Sequence, residues 1–111
     1  MLPESHSAVV ACNETWTGPS ATEPYEVGWA HETIVFVRAL LVAGMGNADV
    51  RVQLSPDGMH WVDEGTRFPL PTTAGAVGFA RIEKFGLWLR IACDLLEGLA
   101  VTVLVNWALK A

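Results

Sequence analysis

The chain has 111 residues, of which 51% are hydrophobic and only 17% charged; it carries a net charge of −5, five tryptophans and two cysteines. That length describes one domain able to bury a core without metal or disulfide staples, and its apolar supply is rich enough that burial against another copy or a partner is a live possibility. Seven Lys and Arg residues scattered singly exclude a phosphate-neutralising stripe and an anionic-membrane patch, and no apolar stretch approaches the about 20 residues of a membrane-spanning helix.

The opening "MLPESHSAVVACNETW" lacks both a basic n-region and a continuous apolar h-region, so no signal peptide is expected and the chain reads as cytosolic when made. Residues 1–7 read as a flexible arm. A first strand is predicted over residues 8–16, with Val10, Cys12, Glu14 and Trp16 on one side and Val9 and Ala11 on the other. "TGPSATEPYEVG" then reads as a long surface loop broken by Pro19 and Pro24. A second strand is predicted over residues 32–43. Its "IVFV" is apolar on both faces, which suits a central strand covered on two sides. The β-branched run argues against a helix over residues 37–45.

"GMGNAD" turns the chain, and residues 50–54 alternate Val50, Val52, Leu54 against Arg51 and Gln53. The next stretch, Ser55-Pro56-Asp57-Gly58, raises the choice between a ligand loop and a turn. Pro56 supplies the fixed φ of a type I turn, Asp57 can bond nearby backbone, and Gly58 takes a left-handed position. The turn uses every residue type in the motif, whereas a ligand site uses only Asp57, so a hairpin is predicted. "MHWVDEG" and "TRFPL" return the chain, "PTTAGAVG" connects, and "FARIE" and "LWLRIAC" read as two more strands. A closing strand, "LAVTVLVNWALK", places Val101, Val103, Val105, Trp107 and Leu109 on one face. Short β runs separated by turn residues predict an all-β fold, a single antiparallel β-sandwich of jelly-roll type.

Residues able to carry chemistry are sparse. His6, His31 and His60 fall in separate segments without H-x-x-H or C-x-x-C spacing, so no metal site or cofactor is expected. Asp57, Asp63 and Glu64 read as solvated turn carboxylates rather than a calcium loop. Ser7, Ser20 and Ser55 lack a nucleophile-elbow context. Cys12 and Cys93 lie in apolar segments and read as buried free thiols. The chain is therefore expected to be non-enzymatic. Trp61, Trp88 and Trp107 read as core or interface anchors. Trp16, Tyr25 and Trp29 border the Pro-rich loop and, with Glu23 and Glu26, are the predicted contact residues for a neighbouring subunit or for a sugar.

Two resemblances rest on these motifs. "VRVQLSPDGMHWVDEG … FGLWLRIA" resembles the middle and end of discoidin-type carbohydrate- or lipid-binding sandwiches. Over roughly residues 34–111 the chain resembles small β-sandwich virion proteins of tailed phages, the head decoration, head-fibre and tail accessory subunits. The resemblance is carried by residues 50–61, 71–78, 85–91 and 101–110. It implies a structural subunit of a symmetric phage or phage-derived particle, assembled in the cytoplasm through self-association or on an underlying shell protein. The alternative is a carbohydrate-binding module with a glycan partner. These motifs are turn and core residues, so they specify a fold and supply no catalytic residue.

Overall fold

A computed structural model describes residues 5–27, 30, 32–83 and 88–110. Among them the chain forms nine strands and no helix: β1 (Ser5–Thr17), β2 (Pro19–Ala21), β3 (Tyr25–Glu26), β4 (Glu32–Ala43), β5 (Asp49–Ser55), β6 (Val62–Pro69), β7 (Val77–Glu83), β8 (Trp88–Asp94) and β9 (Ala100–Lys110). It follows that no described helix is long and apolar enough to cross a membrane. Glycines at positive φ serve the connections, among them Gly18 between β1 and β2 and Gly44 after β4.

The strands make two antiparallel sheets. The first has the order β1-β9-β4-β7, and the second β2-β8-β5-β6 with β3 also on β8. The pairs β1–β9, β2–β8, β4–β7 and β5–β6 nest inside one another, as when a long antiparallel ribbon folds over on itself. That wrapping is the jelly roll, and it confirms the all-β sandwich expected from the sequence.

Period-two alternation explains which side chains meet between the sheets. Val101, Val103, Val105, Trp107 and Leu109 of β9 are all buried, facing Val50, Val52, Leu89, Ile91 and Cys93 across the core. β4 contributes Val35, Val37 and Ala39 to the same core.

β1 does not keep this period. Register shifts fall between Val9 and Ala11 and between Cys12 and Glu14, and Asn13 between them has φ 58°. Each β-bulge inserts one residue and turns the following side chains over. The first bulge turns Cys12 outward, and the second restores the original phase, so that Trp16 faces inward with Ala8. Two sequence expectations fail here. Cys12 is exposed rather than buried, while Cys93 is a buried thiol; both are free. Trp16, expected at the surface, is 2% exposed and packs in the core opposite Val101, with its Nε1 donating to Glu14 Oε1 at 3.3 Å. Of the predicted N-terminal arm, residues 5–7 pair with β9; residues 1–4 lie outside the described residues.

Candidate functional site

The predicted contact residues do not form one patch. Trp16 is in the core. Tyr25 is half-buried and pairs with Leu89, and the exposed Glu26 pairs with Trp88 at the margin of the second sheet. Glu23 is exposed in the loop before them. Trp29, like His31, lies outside the described residues.

The Ser55–Gly58 stretch joins β5 to β6, with Leu54 opposite Val62 across the hairpin. The strand resumes only at Val62, so Met59, His60 and Trp61 belong to the loop rather than to the predicted strand. Ser55 is buried; its Oγ accepts from the amides of Asp57 (3.2 Å) and Gly58 (2.9 Å) and donates to Asp57 Oδ1 (2.9 Å). Asp57 Oδ1 accepts from the amides of Met59 and His60, both at 2.9 Å, and Oδ2 lies 2.7 Å from His60 Nδ1. The His60 amide and ring, then the Met59 amide and Ser55, hold the Asp57 carboxyl below the usual carboxylate range. Every oxygen of this acid is turned onto its own loop. Asp63 binds Gln53, and Glu64 accepts from Thr66. Among the described residues no cluster of His, Cys, Asp and Glu could hold a metal.

On the outside of the second sheet, Arg90 lies over Trp61 at 4.4 Å and donates from Nε to Gln53, while Arg51 pairs with Asp94 at 3.2 Å. Desolvation, then the neighbouring Arg51, lowers the Arg90 pKa. These arginines are tied to their own sheet, and the concavity beside them is open.

The outside of the first sheet is different. Cross-strand register sets out its rows: Ala108–Ile34–Arg81, then Val9–Asn106–Phe36–Phe79, then Cys12–Leu104–Arg38–Val77, then Thr15–Thr102–Leu41. Val9, Leu41, Val77 and Phe79 are 60%, 65%, 53% and 56% exposed, and the Phe36 and Phe79 rings meet at 6.2 Å. Arg38 and Arg81, Asn106 in the phenylalanine row, and the mutually bonded Thr15 and Thr102 interrupt this apolar field; Glu32, Glu83 and Lys110 stand at one end of it. Solvent-facing strands of a sandwich normally alternate apolar-in with polar-out. A contiguous apolar outer face is the mark of an interaction surface.

The sequence signal for this face was the doubly apolar "IVFV". The expectation of cover on two sides holds for its inner face, where Val35 and Val37 are buried. Outward, Ile34 and Phe36 are only half-covered.

Fold and surface together define a jelly-roll sandwich with one apolar outer sheet. The chain is similar in structure to the SPBc2 prophage-derived protein YomS, whose crystal structure superposes with a TM-score of 0.64 over 100% of this chain and 96% of that one, at 14% sequence identity. That likeness is one of fold. No protein-family model matches the chain, and no curated protein sequence matches it.

Proposed function

We propose that this protein is a non-enzymatic structural subunit of a phage or phage-derived particle, joining its neighbours through the outer face of its first sheet. The observation that carries the reading is that face, with Phe36, Phe79 and Val77 adjoining and Val9 and Leu41 exposed towards its margins. Each large apolar side chain taken from water there contributes about 1.5–3 kcal/mol, and aromatic residues near the middle of an interface dominate binding. The fold shared with a prophage-derived protein supports the phage setting, as do the turn and strand motifs resembling phage virion subunits. Decoration or accessory subunit is the finer role proposed. The Asp57 loop, Arg90 and the Arg51–Asp94 pair are engaged within the chain itself.

The test is the solution mass of the wild type and of Phe79→Asp, by light scattering after size exclusion over a range of concentrations. Wild type is expected at a multiple of the 12.0 kDa chain mass, with Phe79→Asp reduced to the single chain while its circular dichroism is unchanged. If the two proteins show the same mass at every concentration, this face is not the contact.

A further inference from the structure

We infer that the occupant of the first sheet's outer face is a second copy of this chain, packed face to face about a two-fold axis that crosses the strands at the Phe36–Phe79 row. This rests on the assembly reading above and gives that face its partner. Three features of the face carry it.

The first is size. Three strands of about 11 residues and the 7 residues of β7, at about 3.3 Å per residue and about 4.8 Å between strands, make a planar footprint of about 630 Å². Accessible area over protruding side chains exceeds the footprint, so the face reaches the about 800 Å² per partner of a stable interface.

The second is charge. The chain carries −5, so most of its surface repels a copy of itself. On this face Arg38, Arg81 and Lys110 stand against Glu32 and Glu83, which leaves it without the negative excess of the whole. It is the surface on which a like-charged copy meets least resistance.

The third is the placing of the phenylalanines and charges in the sheet register, which selects the axis. In a self-complementary contact each residue meets the position that symmetry assigns it. An axis parallel to the strands and displaced between β4 and β7 would set Glu32 against Glu83 of the other copy; one through the middle of the sheet, between β9 and β4, would bring Glu32 to Lys110 but lay Phe36 over Asn106 and Arg38 over Leu104, leaving no aromatic centre. An axis across the strands at the Phe36–Phe79 row exchanges the row below with the row above. Arg38 then lies over Ile34 of the second copy, and Glu32 of that copy is the next outward residue, about 6.8 Å further along the strand. An arginine side chain spans that distance. The arrangement forms two Arg38–Glu32 pairs around a centre of four phenylalanines, the aromatic core and charged rim usual in interfaces.

Sedimentation equilibrium of wild type, Arg38→Glu, Arg38→Glu/Glu32→Arg and Phe79→Asp tests this, with circular dichroism confirming that each variant is folded. Expected are a wild-type dimer, dissociation about tenfold or more easier for Arg38→Glu, where like charges are brought together, and recovery in the charge-swapped double variant. A monomeric wild type overturns the inference. So does a double variant no better than Arg38→Glu: if Phe79→Asp still dissociates the assembly, the face is in use with a different geometry or partner. If Phe79→Asp leaves the assembly intact, the assembly surface itself has been misassigned.

Discussion

Ser55 and Asp57 show how a few residues close a loop without serving a ligand. The buried Ser55 hydroxyl satisfies two amides, and the Asp57 carboxylate satisfies two more beside the His60 ring. The turn chemistry was legible because Ser, Pro, Asp and Gly each have a distinct conformational use. The loop's extent to Trp61 was not, because Met59, His60 and Trp61 have the residue types of a strand and leave it only through the bonds of the Met59 and His60 amides to Asp57. The Asp57 carboxyl is held low in the folded protein, so its contribution to stability is present above the unfolded value of about 3.9. As pH falls below that value the unfolded chain takes up the proton first, and the contribution is lost progressively down to the folded pKa. Urea midpoints from pH 7 to pH 2.5 are therefore expected to fall more steeply for wild type than for Asp57→Asn. Solvent screening around this exposed group keeps the difference modest, and parallel profiles would show that the loop bonds do not discriminate the charged form.

At the scale of elements, a strand is readable from sequence as far as its period holds. β9 keeps strict alternation, so its buried residues Val101, Val103, Val105, Trp107 and Leu109 could be assigned to the core from their spacing alone. β1 does not: the first of its two bulges turns Cys12 outward and the second returns Trp16 to the inward phase of Ala8, and neither leaves a mark in composition, because Asn13, at φ 58°, suits a strand or a turn alike. The outer face was legible only in part. "IVFV" announced cover on both sides, but Phe79, the cross-strand neighbour of Phe36, lies 43 positions away and becomes visible only through register. Contact between connections is equally hidden. Gly44, after β4, has φ +88°, and a Cβ there would stand 1.8 Å from the Gly98 carbonyl oxygen between β8 and β9. Gly75 has nearly the same φ, +89°, with open space around it. Alanine at Gly75 should therefore register backbone strain alone, about 1 kcal/mol. Alanine at Gly44 should cost a further about 1–3 kcal/mol as the two connections are forced apart. Urea denaturation of both variants reads the difference, and equal losses would mean that the two connections yield freely.

For the whole molecule the question is whether net charge or local pairing governs association. Two copies stacked through their first sheets have centres about 20 Å apart, two sheet spacings. With −5 on each, they repel by about 5 kcal/mol in unscreened water. A Debye length of about 30 Å at 0.01 M salt leaves about half of that, and one of about 8 Å at 0.15 M leaves less than about a tenth. The two Arg38–Glu32 pairs act in the opposite sense, since salt weakens them, but as rim contacts each is worth about 0.2–1 kcal/mol at most. Relief of the repulsion, about 2 kcal/mol over this range, outweighs the weakening of the pairs, so dimerisation should tighten about tenfold or more between 0.01 and 0.15 M salt. Beyond that the long-range repulsion is spent, and further salt should change the affinity little except through the apolar surface, which excluded salts such as sulfate favour. Sedimentation equilibrium across that series decides the matter. A dimer that loosens steadily with salt would mean that ion pairing, rather than the Phe36–Phe79 wall, carries the contact. It would also place the contact on a surface where opposite charges face each other more densely than they do on this sheet.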